Sequence, residues 1–323
     1  MVSQSDKILF IQSIEEVSKK EWNDCVGLDH PFTRYEFIYA LEKSASAVSS
    51  TGWQPFHYLE LNKVNKIIAI CPLYIKSHSF GEYIFDHAWA DAYHRYGLEY
   101  YPKLQSAVPF TPVTGERIIV HKSIKNKNDV KNKVIKNIID KAQTLNVSSL
   151  HFNFLNKPDF LSKSNKELLL RQGIQFHWKN NNYKSFDKFL ETLSSRKRKV
   201  IKKERCSIKK NNLTVKLLNG NEIQKEHWEF FYKCYLNTTE KKWGSSYLTK
   251  EFFIEIGKKL SSVKIIGHSM GGKVAMLFTL KYPEFHSYLF SLDYSFAHLY
   301  VLLVILTNFP DFYDELPFEN FDI

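Results

Sequence analysis

Stretches with strand-like and helix-like spacing of apolar residues alternate along the 323 residues of this chain, and this alternation restricts its fold more than any other feature. Strands are predicted at 7–12, 56–76 (two strands joined by a polar turn), 149–155, 174–180 and 213–218. Helices are predicted at 34–45, 127–146, 185–210, 221–237 and 248–260, and another is expected to end within 166–174. Ser13 and Glu16 form a predicted capping box for a helix that continues to about Cys25. The mixture predicts an α/β (α+β) fold in which mixed sheets are flanked by helices.

Composition argues against several protein classes. With 44% hydrophobic and 15% aromatic residues, the chain is too apolar to be disordered. Its four cysteines are widely spaced and form no C-x-x-C pair, which argues against a disulfide scaffold or a zinc ribbon and favours a reducing compartment. No leader peptide is recognised at the N-terminus, and the longest apolar run, 296–306, is too short to cross a bilayer. We therefore expect a cytoplasmic protein without a membrane span.

Charge is distributed unevenly around the formal total of +11. Residues 1–120 carry a net charge of −3, residues 121–262 carry +18, and residues 263–323 carry −4. A basic centre between acidic ends indicates a surface that meets an anion. A genome rich in A and T, which favours lysine, asparagine and isoleucine codons, is an equally simple explanation for much of the total.

Residues 72–117 contain many aromatic residues, prolines and glycines without a regular period, and a long irregular segment in a compact domain is usually functional. They read PLYIKSHSFGEYIFDHAWADAYHRYGLEYYPKLQSAVPFTPVTGER. This string resembles the signature of the FemAB-like predicted N-acyltransferases, a branch of the GNAT superfamily. Matching strings lie in order along the chain, so that the resemblance covers about 28–262: GWQPFHYLEL (52–61), LHFNF (150–154), GIQFHWKNNNY (173–183), SSRKRKVIKKER (194–205) and YLTKEFF (247–253).

The resemblance implies two GNAT-like lobes that pass an acyl or aminoacyl group to an amine, in a setting linked to peptidoglycan. It implies acyl-CoA or aminoacyl-tRNA as the co-substrate, with no tightly bound cofactor. The partners expected from it are an activated donor on an anionic carrier and, as alternatives, tRNA or a cell-wall precursor. The predicted domains are a first lobe at 1–145, a partial second lobe at 146–262, and a C-terminal segment at 263–323.

The residues of the block also suit acyl transfer on chemical grounds. An amine must lose a proton to attack a carbonyl carbon, so a carboxylate or imidazole is needed near it. The candidate catalytic residues are Glu82, Asp86 and His87. Cationic, aromatic and hydroxyl side chains of the block are candidates for holding donor or acceptor, and these are Lys76, Trp89, Tyr93, Lys103, Thr111 and Arg117. Each of these polar residues has a structural alternative, and Asp86 could simply cap a helix.

Two further patterns were weighed as ligand sites. His87, Asp91 and His94 would align on a helix, but they lack the flanking ligands of zinc motifs, so we predict no metal. Residues 196–205 hold seven lysines or arginines in ten positions, with Val200 and Ile201 marking the expected buried side. They predict an anion-binding helix face, with a solvated face as the alternative, and the cations concerned are Arg196, Lys197, Arg198, Lys199, Lys202 and Arg205.

The segment 263–284 contains Gly-His-Ser-Met-Gly, centred on Ser269, between an apolar stretch and a helical pattern. It resembles the nucleophile elbow of α/β-hydrolases over about 263–292, which makes Ser269 an alternative nucleophile. A complete triad is not found, because no acid and histidine follow at the usual separation. The preferred interpretation is a junction near residue 262 that leaves the second lobe incomplete and its activity doubtful. A serine hydrolase and a non-catalytic protein that binds anions or RNA are the alternative functions.

Overall fold

The computed structural model describes residues 7–28, 30–84, 86–156, 168–171, 181–210, 222–243 and 245–259. The described residues fall into two compact units, one made of the residues up to Arg171 together with 245–259, and the other of 181–243. The predicted first lobe ended at residue 145, whereas the strand after it and the segment 245–259 pack within the first unit. The predictions at 174–180, 213–218 and 263–323 lie outside the described residues.

The described strands of the first unit form two four-stranded sheets. The first sheet has the order β1–β3–β4–β7 and is antiparallel throughout, with β1 at Lys7–Ile11, β3 at His57–Leu61, β4 at Ile67–Cys71 and β7 at Ile119–Val120. The second has the order β2–β5–β6–β8, with β2 at Trp53–Pro55, β5 at Tyr74–Lys76, β6 at Lys103–Ser106 and β8 at Leu150–Phe152. Its last pair, β6 and β8, is parallel.

Five α-helices are found among the described residues of this unit. They are α1 at Lys19–Val26, α2 at Tyr35–Lys43, α3 at His87–Arg95, α4 at Lys127–Thr144 and α8 at Lys250–Lys259. In the second unit the described helices are α5 at Phe186–Glu191, α6 at Ser195–Lys210 and α7 at Lys225–Trp243. Two sheets flanked by helices confirm the predicted α/β class.

Side chains of the first sheet point alternately to its two faces. Both faces carry apolar side chains, and helices cover both. Tyr58 and Cys71 pack with the apolar face of α4, where Val134 and Ile138 are fully buried. Leu59 and Ile70 point to the other face and pack with α1 and α2 around Trp22. This three-layer packing makes the sheet a fixed support for the strands beside it.

Four predicted elements differ from the observed ones, and local hydrogen bonds explain two of them. The capping box of Ser13 and Glu16 is present, but it begins only a short 3-10 turn, and Ser18 caps a separate helix α1. The predicted helix 185–210 is two helices, because the Ser194 hydroxyl accepts from the Lys197 N–H and starts α6 anew. Residues 56–76 form three strands rather than two, and the third, β5, belongs to the second sheet. The described part of the helix expected at 166–174, residues 168–171, is not helical.

Helix α8 returns to the first unit late in the chain and is fixed to it by hydroxyl groups. The Thr249 hydroxyl donates to the Ser44 carbonyl at 2.9 Å, and the Thr249 N–H donates to the Ser46 hydroxyl at 3.1 Å. Phe252 then packs edge-on against Phe37 of α2, with the ring centres 5.9 Å apart. The segment 245–259 is therefore part of the first unit.

Candidate functional site

Four charged side chains of the block 72–117 meet inside the first unit. Lys103 of β6 donates to Glu82 at 2.7 Å and to Asp86 at 2.5 Å. Lys76 of β5 lies 4.0 Å from the other oxygen of Glu82. Both lysines are fully buried and both acids are 2% exposed. We call Lys76, Glu82, Lys103 and Asp86 the charge cluster. Because β5 pairs with β6 and the register sets Lys76 opposite Lys103, the sheet itself brings the two cations together.

Burial shifts the pKa values of this cluster in opposite directions. It raises the pKa of Glu82 to about 7, against the opposing effect of Lys103. It lowers the pKa of Lys76 to about 7, although Glu82 opposes this. For Asp86, burial alone would raise the pKa, but the hydrogen bonds from Lys103 and Tyr100, together with the nearby Ser79, outweigh burial and the pKa is lowered. The cluster thus pairs an acid that stays ionised with one that titrates near neutrality.

Asp86 is positioned by the start of α3 but does not act as a capping side chain. It is the N-cap residue of α3 by position, and its side chain makes no capping hydrogen bond. Instead its Oδ2 accepts from Lys103 and, at 2.8 Å, from the Tyr100 hydroxyl. Among the described residues, its Oδ1 is a buried oxygen without a hydrogen-bond donor. The cluster therefore has one carboxylate oxygen whose hydrogen-bonding capacity is unused.

His151 extends the cluster through Tyr100. The Tyr100 hydroxyl lies 3.5 Å from Nε2 of His151, and the same nitrogen lies 2.8 Å from the Ser149 hydroxyl. Burial and the positive charge of Lys103 lower the pKa of His151 to about 4, so its imidazole is neutral at pH 7. His151 was not among the predicted site residues, although it lies in the string LHFNF that carries part of the family resemblance.

Arg117 was predicted to bind an anion and does not contact the charge cluster directly. It is 1% exposed, and it donates to the carbonyls of Asn153 at 2.9 Å and Val113 at 2.6 Å. With the Gln105 amide oriented to satisfy its neighbours, Gln105 donates to Glu82 at 2.9 Å and accepts from Asn153 at 3.0 Å. Arg117 is therefore linked to Glu82 only through Asn153 and Gln105.

The other predicted residues lie at various distances from the cluster. Helix α3 carries His87, Trp89 and Tyr93, and none of its residues is buried. Tyr93 packs against Tyr100 with the ring centres 5.2 Å apart, and Trp89 lies 6.4 Å from His151. Thr111 is half-buried outside the cluster. No group of three or more potential metal ligands occurs within the described ranges, although His87, Asp91 and His94 do share α3.

Lys76 and Lys103 serve a different purpose from the one the sequence suggested. The Lys76 ammonium donates to the Gly52 carbonyl at 2.8 Å and lies 3.7 Å above the Trp53 ring. Lys103 is occupied by Glu82 and Asp86, as described above. Both cations therefore hold groups of this chain, because a fully buried ammonium must find its partners locally.

An open groove lies on the same unit and is lined by aromatic and hydroxyl side chains. Its cavity volume is about 190 Å³, which is smaller than most small-molecule sites (about 300–1,000 Å³) and leaves room for little more than one ring. Phe110 and Tyr247 stack in it, with ring centres 5.3 Å apart and 14° between their planes. We call it the aromatic groove, and its lining residues are Thr51, His78, Phe80, Phe110, Ser245, Ser246 and Tyr247.

His78 is the one titratable imidazole of this lining, and sequence reasoning missed it. Its Nδ1 accepts from the Phe80 N–H at 3.2 Å, so the neutral ring carries its hydrogen on Nε2. Burial and the nearby Lys76 lower its pKa, which keeps the ring neutral at pH 7. Its position in the string KSHSFGE, next to Lys76, was the available signal.

The predicted anion-binding helix is observed as α6 in the second unit. Arg196, Lys197, Lys199, Lys202 and Arg205 are exposed, and Arg198 is half-buried. Lys202 lies 3.6 Å from Asp187, and both side chains are more than half exposed. The prediction that Val200 marks a buried side is wrong, because Val200 is 48% exposed; Ile201 is half-buried.

Ser269 and the elbow-like string lie outside the described residues. No helix in the part of the chain that the structure describes has the length and apolarity to span a bilayer.

Comparison with known families gives a match that covers most of the chain. A family model described as FemAB-like, peptidoglycan biosynthesis/recognition, matches residues 13–286, beyond the expected 28–262 at both ends and across Ser269. No curated protein matched the chain. An aminoglycoside antibiotic 6'-N-acetyltransferase from Acinetobacter baumannii is similar at 11% identity and a TM-score of 0.31, covering 55% of this chain and 99% of that one. A ribosomal-protein-alanine N-acetyltransferase from Brucella melitensis biovar Abortus 2308 is similar at 13% identity and a TM-score of 0.32, with the same coverage.

Proposed function

The chain belongs to the FemAB-like family of peptidoglycan biosynthesis and recognition, and from this we propose that it transfers an acyl or aminoacyl group to an amine of a peptidoglycan precursor. The observation that carries the chemistry is the charge cluster. Two buried acids share one lysine, and a single carboxylate oxygen, Oδ1 of Asp86, lacks a donor among the described residues.

In the proposed reaction Asp86 receives the acceptor. The precursor amine arrives as an ammonium, and an ionised carboxylate with an unfilled oxygen is a suitable partner for one of its N–H bonds. The lowered pKa of Asp86 keeps that oxygen charged at neutral pH.

Glu82 is the proposed general base. The amine nitrogen must lose a proton before its lone pair can form a C–N bond with the donor carbonyl. The bond from that carbonyl to the carrier then breaks, and the carrier leaves with the electron pair. A base is most effective when its pKa is close to the working pH, and burial raises the pKa of Glu82 to about 7. Lys103 positions both acids.

The remaining predicted residues have proposed supporting roles. Trp89 and Tyr93, on the surface helix α3, would contact the acceptor beside Tyr100 and His151, with His87 as a second candidate base and Thr111 and Arg117 as more distant contacts. The exposed cations of α6 would meet the phosphates of an anionic carrier, with acyl-CoA as the first donor to assay and aminoacyl-tRNA as the second.

The experiment offers purified protein each donor class together with a muramyl pentapeptide precursor, and mass spectrometry reads the precursor. We expect the mass of the added group on the peptide amine. Glu82→Gln should lower the rate about 100-fold or more, the usual range for loss of a general base. Glu60→Gln is the matched control, since Glu60 is also fully buried and ion-paired, to Lys133 at 2.6 Å, outside the cluster.

Unfolding curves of each variant show whether the fold is intact. An unmodified precursor with every donor would contradict the proposal, and so would a folded Glu82→Gln protein that keeps the full rate.

A further inference from the structure

We propose that the aromatic groove binds an uncharged sugar ring, and that this ring is the glycan part of the acceptor. The glycan identity rests on the proposed function, whereas the preference for a neutral, hydroxyl-bearing ring rests on the groove alone.

The groove offers ring faces that are already in place. Phe80 is 61% exposed and lies 4.9 Å from the His78 ring. Phe110 is held in the left-handed region at φ +58°, and its N–H donates to the Gly81 carbonyl at 3.1 Å. Such a conformation persists in an aromatic residue only where the surroundings fix it, and it is commonly found at binding sites. Faces of aromatic rings carry partial negative charge and attract the polarised C–H bonds of a sugar.

The lining of the groove contains no Asp, Glu, Lys or Arg among the described residues. His78 is neutral at pH 7 for the reasons given above. The nearest cation of the neighbouring strand, Lys76, is fully buried and committed to the Gly52 carbonyl. A phosphate or carboxylate would therefore lose its water without gaining a charged partner, which is unfavourable. The ligand of this groove is uncharged.

Polar groups at the rim of the groove favour a sugar over an acyl chain as the ligand. The His78 Nε2–H is a donor, and the hydroxyls of Ser245 and Ser246 act as donors or acceptors. The Thr51 hydroxyl is already committed to the backbone of Ser46 and Val48. An aliphatic acyl group would cover these polar groups without pairing them, at a cost in free energy, while sugar hydroxyls match them.

The test titrates the full-length protein with N-acetylglucosamine trimer, which is neutral and has no free amine, and follows binding by calorimetry. We expect saturable binding with which neither inorganic phosphate nor hexanamide, a neutral acyl probe, competes. Phe80→Ala should weaken binding about tenfold, the value of one good aromatic contact. Tyr96→Ala removes an aromatic residue that is 83% exposed at the end of α3, away from the groove lining, and should leave binding unchanged.

Three results would overturn the inference: no binding of the trimer, equal binding by the Phe80→Ala protein, or displacement of the trimer by hexanamide. Because the trimer cannot accept an acyl group, its binding is read independently of transfer. A protein that modifies the peptide amine but does not bind the trimer would contradict this inference and leave the proposed function standing. A protein that binds the trimer but modifies no peptide amine would contradict the proposed function and leave the preference for a neutral ring standing.

Discussion

The charge cluster and helix α6 solve opposite electrostatic problems. The charge cluster buries two cations and two anions, and each has a partner a few ångströms away. Helix α6 exposes its cations to water, where a counter-ion or solvent can neutralise them. Charge density in the sequence therefore does not predict which charges stabilise the fold. Helix α6 has the higher density of charges in the sequence, but it is in the charge cluster that removing one charge leaves others buried without a partner.

The largest expected effect comes from removing the lysine at the centre of the cluster. Lys103→Met leaves Glu82 and Asp86 buried beside each other without their shared cation. Breaking a buried ion pair in this way costs about 3–5 kcal/mol. Lys202→Met, which removes the exposed partner of Asp187, should cost at most about 1 kcal/mol. Urea unfolding of the two variants measures the contrast, and equal losses would remove the distinction between the regions.

A somewhat smaller loss of stability is expected when Gly81, the residue before Glu82, is replaced. A Cβ on Gly81 would lie 2.5 Å from the Phe110 ring, and the residue has φ +77°. Gly81→Ala should cost about 2–4 kcal/mol through strain and overpacking together. Gly97 has φ +69° with no atom within 4 Å of the added Cβ, so Gly97→Ala should cost only the backbone strain, about 1–2 kcal/mol. Thermal unfolding at one protein concentration compares them, and similar values would mean that the loop before the cluster is not tightly packed.

We expect the two shifted pKa values of the charge cluster to affect how the free energy of unfolding depends on pH. The pKa of Glu82 is raised from 4.5 to about 7, so between those values the folded state holds more protons and stability falls as pH rises. The pKa of Lys76 is lowered from 10.5 to about 7, so above pH 7 the unfolded state holds more protons and stability rises again. Their joint contribution to stability therefore has a minimum near pH 7. Denaturant unfolding from pH 5 to 10 should show this minimum in the wild type and a flatter curve in the double variant Lys76→Met, Glu82→Gln.

The smallest change in stability is expected on α6. Replacing Arg196, Lys199 and Lys202 by glutamine should change the free energy of unfolding by no more than about 0.5 kcal/mol. The same change should weaken binding of a homopolymeric RNA and reduce the dependence of log affinity on log salt by about one unit per lost phosphate contact. Glutamine at Lys20, Lys66 and Lys122, three exposed lysines of the first unit, is the matched control. Equal effects of both triple variants would show that only total charge matters.

Much of the fold follows from local pattern. Helices α2, α4 and α8 begin and end within a few residues of their predicted bounds, because their apolar periods are visible in the sequence. The break before α6 was missed, although Ser194 is a readable N-cap. Val200 was assigned to a buried side because it is apolar, and the structure leaves it half exposed.

The sequence predicted most residues of the site but not the contacts between them. All four residues of the charge cluster were named, yet Lys76 and Lys103 meet because β6 lies beside β5, a contact that no local pattern records. Arg117 was expected among them and is held by backbone carbonyls instead. His78 and His151 were missed because single histidines carry no spacing signal, and only their neighbours in space give them a role.

The return of α8 to the first unit has a practical consequence for dissecting the protein. The described residues 181–210 and 222–243 belong to the second unit, whereas 168–171 before them and 245–259 after them belong to the first. A protein ended at residue 171 would lose Phe252, Phe253 and Ile256, each at most 1% exposed, and would strip α2 of its cover. A shortened protein meant to keep the first unit whole therefore has to include 245–259, joined by a linker to residue 171.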